Sequence, residues 1–174
     1  MLRRMTLMLI LAVSLLNSRA ASAQEKGQTG LTMGYPASVG LVWQPSGSFA
    51  LRPEFAFSTT SNDDSFLTSQ RHTTSLGVGL SGLFYVGRWE SLSTYVSPRF
   101  VYSRFSSGPD VGSESNTYSL TGSFGTQYAM NRRFGVFGEV GFGYSHGNQE
   151  FSGRSTLTTD SWSTRTGIGV LVYF

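Results

Sequence analysis

Hydrophobic and polar residues alternate along most of this chain with a period of two, and the segment from Trp162 to Phe174 shows the pattern most clearly. One alternate set is mostly apolar and comprises Trp162, Thr164, Thr166, Ile168, Val170, Val172 and Phe174. The other set is smaller and more polar and comprises Ser163, Arg165, Gly167, Gly169, Leu171 and Tyr173. Successive side chains of a β-strand point to opposite faces. The segment therefore predicts a strand with one apolar face and one small, polar face, as in the wall of a transmembrane β-barrel.

The same alternation recurs in earlier segments. Five of them read as strands, over residues 49–59, 74–86, 92–104, 118–130 and 134–146. Residues 28–44 contain two short alternating runs separated by Pro36. We interpret these runs as two short strands with a tight turn near Pro36. The alternative is one long strand, which would give seven strands in total.

The lengths of the connections favour eight strands. Residues 44–48, 87–91 and 131–133 are short connections, whereas 61–73, 106–116 and 147–160 are longer and polar. Bacterial outer-membrane barrels have short periplasmic turns, long extracellular loops and an even number of strands. The last strand runs toward the periplasm. Counting back from it, the strand that ends at Gln44 also runs toward the periplasm, so a strand running outward must precede it. The sequence therefore predicts an all-β fold, a closed eight-stranded antiparallel transmembrane β-barrel formed by residues 24–174.

The N-terminus has the anatomy of an export signal. Arg3 and Arg4 form a basic start, residues 7–16 form an apolar run, and Ala21-Ser22-Ala23 forms a small-residue cleavage site. The run is shorter than the ~20 residues that span a bilayer, which disfavours the alternative of an uncleaved anchor. We expect residues 1–23 to be removed after Ala23 and the mature chain to cross the inner membrane and reach the outer membrane.

Composition narrows the possible functions. Without residues 1–23 the chain has equal numbers of basic and acidic residues, so it offers no electrostatic basis for binding nucleic acid. It has no cysteine, which excludes disulfides, thiol catalysis and thiolate metal sites. Charged residues make up 13% of the sequence, below the ~25% of a typical soluble domain.

Five charged residues occupy the alternate positions that face the barrel interior: Arg52, Glu54, Arg99, Glu139 and Arg165. The interior of an eight-stranded barrel is just wide enough for side chains to fill it. Charges in such a space must pair, because burying a lone charge is costly. We predict a salt-bridge network that fills the interior. The alternative is a narrow pore. The alternation also turns Gly169 inward and Ile168 toward lipid, and we expect serine at Gly169 to cost much less than arginine at Ile168.

Three motifs suggest chemistry that their context does not support. Gly77 to Gly82 match a dinucleotide-binding pattern, but the segment continues as a strand where that site needs a helix. Ser145 and His146 are neighbours on a strand and face opposite ways, so they cannot form a nucleophile–base pair. The segment Asn62-Asp63-Asp64 resembles a weak cation-binding cluster but lacks the ligand spacing of a calcium loop. We predict no catalytic, cofactor or metal site. A lipid-modifying enzyme is the alternative.

The whole mature chain resembles the family of small eight-stranded outer-membrane barrels, which includes OmpX, the barrel domain of OmpA and the opacity-type adhesins. The signal end, the alternating strands and the five interior charges carry this resemblance. So does the terminal segment, in which Gly169, Val172, Tyr173 and Phe174 are similar to the C-terminal signal that the outer-membrane assembly machinery reads.

The resemblance implies a non-enzymatic, monomeric protein that acts in adhesion or envelope integrity. Its expected partners are outer-membrane lipids with their lipopolysaccharide, the assembly machinery, and an extracellular ligand bound through loops 61–73, 106–116 and 147–160.

Overall fold

The computed structural model of the chain describes residues 27–36, 38–64, 69–107, 113–151 and 155–174. The predicted signal segment and its Ala21–Ala23 cleavage site lie outside them. The described residues form eight strands: β1 (Thr29–Tyr35), β2 (Ser38–Ser46), β3 (Phe49–Asp64), β4 (Ser69–Trp89), β5 (Leu92–Ser107), β6 (Ser113–Ala129), β7 (Phe134–Phe151) and β8 (Ser155–Tyr173). Among these residues no helix is long and apolar enough to cross a membrane.

The strands form a closed antiparallel barrel in sequence order. Each strand pairs with the next, and β8 pairs with β1 from Ile168 to Tyr173 to complete the ring. The backbone amide of Phe174 extends this seam by donating to the carbonyl of Thr29 at 3.1 Å. The eight-strand prediction is confirmed, and so is the tight turn at Pro36, since β1 ends at Tyr35 and β2 begins at Ser38.

The two faces of the wall differ as the alternation predicts. Large apolar side chains cover the outer face on all eight strands and are exposed, among them Met33, Leu41, Phe55, Leu80, Phe100, Leu120, Val140 and Ile168. The alternate residues face the lumen, where many are buried, including Thr32, Arg52, Ser81, Tyr95, Thr121 and Leu171. A barrel with an apolar exterior and a polar interior suits a bilayer as its solvent.

Aromatic rows mark two levels on the outer face. Near the long-loop end, the Tyr102 and Tyr118 rings lie 5.1 Å apart, and Trp162 contacts Tyr144 at 5.2 Å. At the opposite end, Trp43, Trp89, Tyr128 and Phe174 are exposed. On β5 the rise from Leu92 to Tyr102 is roughly 25 Å at the usual strand tilt, which matches the apolar band of outer-membrane barrels.

The predicted loops are mostly strand, which corrects the boundaries 61–73, 106–116 and 147–160. Backbone pairing continues from Ser61 with His72 to Asp64 with Ser69. It also extends up to Ser107 on β5 and from Ser113 on β6, and up to Phe151 on β7. Above the membrane level both faces of a strand meet water, so the hydrophobic alternation stops while the hydrogen-bond ladder continues.

A β-bulge near the end of β4 is a second difference. The register with β5 shifts between Tyr85 and Gly87, and β4 continues to Trp89 instead of ending at Val86. One extra residue swaps the two faces of a strand beyond the bulge. Arg88 therefore points inward, where its guanidinium lies 4.2 Å from the centre of the Tyr85 ring.

Gly169 is far more constrained than the sequence indicated. A Cβ atom there would lie 2.5 Å from the Met33 carbonyl oxygen and 2.6 Å from the Phe137 ring. The expectation that serine at this position would cost much less than arginine at Ile168 stays a prediction, and the crowding around Gly169 argues against it. The glycine lets β1 and β8 approach at the closing seam while Phe137 packs beneath them.

We expect Gly169→Ala to destabilise the barrel by ~1–3 kcal/mol, because overpacking forces backbone or ring to move. Gly167→Ala is the matched control on the same face of the same strand. Its Cβ would meet nothing closer than the Tyr35 carbonyl oxygen at 3.7 Å. Urea unfolding of the two refolded variants measures the difference. Equal losses would show that the seam is free to expand at Gly169.

Candidate functional site: an ionic cluster in the lumen

Large side chains fill the half of the lumen nearest the short turns. This lower lumen holds a buried cluster of Val42, Ala50, Leu83, Tyr85, Tyr95, Leu171 and Tyr173, with Phe137 packed against it. The Tyr85 and Tyr95 rings meet edge to face at 5.7 Å. The Gln127 amide bridges the Tyr85 and Tyr173 hydroxyls, accepting from the first at 3.3 Å and donating to the second at 2.9 Å.

The five charged residues that the sequence placed in the interior form one connected cluster above this layer. The Arg52 Nε donates to Glu54 Oε1 at 2.7 Å, and its Nη2 donates to Glu139 Oε1 at 2.6 Å. Arg52 and Glu139 are almost completely buried, with 3% and 2% of their side chains exposed. Arg52 lies 5.1 Å from the centre of the Phe137 ring, so it joins the ionic cluster to the apolar layer below.

Two further arginines complete the cluster from above. Arg99 Nη2 donates to Glu54 Oε2, and Arg165 Nη1 donates to Glu139 Oε2 at 3.3 Å. They are more exposed than Arg52, with 13% and 21% of their side chains accessible. Each glutamate therefore lies between two arginines, and the cluster carries three positive charges against two negative ones.

Sequence reasoning missed some residues of this site. Tyr95 donates its hydroxyl to Glu139 Oε1 at 2.9 Å, and Ser81 donates to Glu54 Oε1 at 3.3 Å. Both lie on the inward alternate set, so the pattern could have identified them as neighbours of the charges. Arg88 could not have been found this way, because the bulge reverses its face.

The upper lumen, between the cluster and the long-loop end, is lined by small residues. The inward positions there include Gly77, Gly79, Ser103, Thr117, Ser119, Gly143, Ser145, Ser161 and Ser163. The Ser145 and Ser161 hydroxyls hydrogen-bond each other at 2.7 Å. The lumen thus has a lower half packed with large side chains, an ionic middle layer and an upper half lined by small side chains.

A second polar group lies on the outer surface above the upper aromatic row. His146 Nδ1 and the Tyr144 hydroxyl contact the same Asp160 oxygen at 2.7 and 2.5 Å. These hydrogen bonds, the tyrosine's above all, hold the pKa of the Asp160 carboxyl below its ordinary value. Ser145 lies on the opposite face of the strand, so this group lacks that serine as a nucleophile. Within the described residues no cluster of three metal-ligating side chains is present.

The terminal residues divide between the two faces. The Tyr173 side chain is buried in the lower lumen, whereas Phe174 is 76% exposed on the outer side. Val172 pairs with Leu31 of β1 and Phe134 of β7. The segment similar to an assembly signal thus forms the closing seam of the barrel.

The fold defines a class, the small eight-stranded antiparallel β-barrel with an apolar exterior and a largely polar interior. This chain is similar to solved structures in fold alone. CarO of Acinetobacter baumannii is 16% identical, with 88% of this chain and 100% of that chain covered and a TM-score of 0.48. A major outer membrane protein of Thermus thermophilus is 10% identical, with 84% and 98% covered and a TM-score of 0.49.

The attachment invasion locus protein Ail of Yersinia pestis is similar at 14% identity, with 86% of this chain and 100% of that chain covered and a TM-score of 0.45. No family model and no curated protein matches the sequence.

Proposed function

We propose that this chain is a non-enzymatic outer-membrane barrel that acts through its extracellular rim in adhesion or envelope integrity, while an Arg/Glu network closes its lumen. The observation that carries the proposal is the packing of the lumen. Tyr95 is fully buried, and Arg52 beside it is 2% exposed. A conducting path through this layer would need several buried side chains to move together.

The extended strands supply the interaction surface. Six strands, β3 to β8, are 16 to 21 residues long, more than the 9–11 that cross a membrane. Their upper parts carry paired polar side chains on the outer face, such as Arg104 with Glu114 at 2.7 Å and Asn148 with Thr158 at 3.0 Å. Such a rigid polar sheet suits recognition of an extracellular ligand near residues 61–73, 106–116 and 147–160.

The same proposal includes three other partners. Lipids and lipopolysaccharide cover the apolar band, the assembly machinery reads the closing seam at Gly169–Phe174, and no second copy of the chain is required. No cofactor is part of this function.

Conductance in a planar lipid bilayer tests the closed lumen. We expect the refolded chain to give no current steps above the protein-free bilayer. The double variant Arg52→Ala/Tyr95→Ala should conduct, because it removes one buried side chain from the ionic network and one from the packed layer beside it. Stable, ion-selective steps from the unmodified chain would support the pore alternative and contradict the proposal.

A further inference from the structure

The wall of the barrel is not equally tall all the way round. β1 and β2 have 7 and 9 residues. Seven residues of a tilted strand rise ~18 Å, less than the ~25 Å apolar band. In the described residues, the pairing of β8 with β1 reaches up to Ile168, and the pairing of β3 with β2 reaches up to Phe55. Within the described residues no strand continues the wall above this hairpin, which leaves a gap of ~14 Å between β3 and β8.

Side-chain exposure agrees with this gap. The inward-facing Ser58 of β3 and Ser163 of β8 are exposed, whereas Ser119 and Ser145, which face inward away from the gap, are half-buried. The outer face of β8 also changes beside the gap, where Thr166 and Thr164 replace the apolar residues found lower down. Both edges of the gap are therefore rich in hydroxyl groups that can hydrogen-bond a polar ligand.

Arg165 lies on the strand that borders the gap and points into the upper lumen. Among the described residues its guanidinium has one hydrogen bond, the 3.3 Å contact with Glu139. Arg99 lies close enough for the two positive charges to repel each other. The Arg99 Nε is buried and has no hydrogen-bond partner in the described part of the chain. The positive charge in excess over the two glutamates thus lies on the two partly exposed arginines at the base of the upper lumen.

We propose that Arg165 and Arg99 form a phosphate-binding site in the upper lumen, reached from the side through the gap between β3 and β8. The arginine fork matches a phosphate bidentately. A phosphate would neutralise the excess charge and accept hydrogen bonds from the partly exposed guanidinium groups of Arg165 and Arg99. The gap begins near the middle of the apolar band, at the pairing of Tyr35 with Ile168, and extends past the upper aromatic row. Lipid headgroups begin at the level of that row, so a lipid phosphate can enter from the membrane. A free phosphate can reach the same arginines from above.

The test uses the refolded barrel in zwitterionic micelles, with inorganic phosphate against chloride at matched ionic strength. Phosphate should raise the urea midpoint of the unmodified chain, because a ligand of the folded state stabilises it. Arg165→Gln should weaken the apparent affinity ~10- to 100-fold, as expected for losing a charged hydrogen-bonding group. Arg104→Gln is the control, since it removes the same charge from the outer surface.

A second variant separates binding from charge. Ser163→Trp keeps every charge and fills the space above Arg165, so it should abolish the phosphate effect as well. Its site is exposed, which leaves folding intact. An unmodified chain that phosphate does not stabilise would overturn the proposal. So would an Arg165→Gln variant that responds like the unmodified chain.

Vesicles distinguish the two sources of phosphate. Barrels in phosphatidylcholine with and without phosphatidic acid are compared for stability and for their response to inorganic phosphate. If the lipid phosphate uses the gap, phosphatidic acid stabilises the barrel and suppresses the response to inorganic phosphate. If only inorganic phosphate acts, entry through the gap is contradicted, and the arginine site is reached from above. If neither acts, the site does not exist.

Discussion

Glu139→Gln should lower the free energy of unfolding of the barrel by ~3–5 kcal/mol, the cost of removing one partner from a buried ion pair. Glu139 accepts hydrogen bonds from Arg52, Tyr95 and Arg165. Glutamine keeps the shape but loses the charge, and its amide nitrogen cannot accept from any of these donors. The cluster would also change from one excess positive charge to two.

The control is Glu114→Gln on the outer surface. Glu114 pairs with Arg104 at 2.7 Å, close to the 2.6 Å between Glu139 and Arg52. About half of each side chain in the outer pair is exposed. An exposed pair contributes ~0–1 kcal/mol, so this variant should unfold close to the unmodified chain. Urea titration of both variants in the same lipid vesicles gives the comparison. Similar losses would mean that water reaches the interior cluster freely.

The same variant also separates a closed lumen from a pore. If the cluster closes the lumen, Glu139→Gln is less stable, but its surface interactions persist at a permissive temperature. In a pore, the lost carboxylate would alter ion selectivity with little loss of stability. A stable Glu139→Gln variant with altered conductance would overturn the proposed function.

The strand count and the facing of side chains could be predicted because the membrane imposes them. A lipid-facing residue such as Ile168 must be apolar, and its neighbour on the chain must face the lumen. The five interior charges were placed for the same reason, since each lies on the inward set of a clear alternation. Their actual partners depend on how the eight strands stagger around the ring, and no single strand contains that information.

The upper ends of the strands could not be predicted from the alternation. Residues 61–64 pair with 69–72 through their backbones, but both segments are polar throughout and show no alternation that would predict a strand. Polar composition by itself does not distinguish a loop from a strand that lies in water. Only the register of the barrel shows that these segments continue as strands.

Two local features could not be predicted from the sequence because each depends on a single residue. The bulge before Gly87 reverses the face of Arg88 without disturbing the surrounding composition. Gly169 looked like an inward glycine similar to Gly167, yet the Met33 carbonyl oxygen and the Phe137 ring leave no room at Gly169. The difference lies in neighbours that are distant in sequence, at the seam where the first and last strands meet.

The gap in the upper wall exists because the first hairpin is short. Its turn at Pro36 comes directly after the seven residues of β1, and β2 begins two residues later. The sequence indicated a tight turn there but not its height relative to the neighbouring strands. That height is set by the pairing of Tyr35 with Ile168, a residue near the middle of the apolar band. In a longer first hairpin, β1 and β2 would extend upward and lie between Arg165 and the membrane.

Ile168→Arg should have the second large effect, a loss of ~2–4 kcal/mol in a bilayer, because an arginine at mid-membrane depth must face hydrocarbon. Ile168 is 66% exposed on the outer face, so lipid surrounds it. Its position between the two aromatic rows leaves a long side chain little access to either interface.

Thr164→Arg is the matched control. Thr164 lies on the same face of β8, next to the upper aromatic row at Trp162, where arginine costs ~0–1 kcal/mol. Both variants should fold almost equally in detergent micelles, whose surface is easily deformed, and should separate once they are refolded into vesicles. This dependence on the bilayer is the signature of a membrane-embedded wall. If Ile168→Arg unfolded like Thr164→Arg in vesicles, the apolar band would not be the surface that faces lipid.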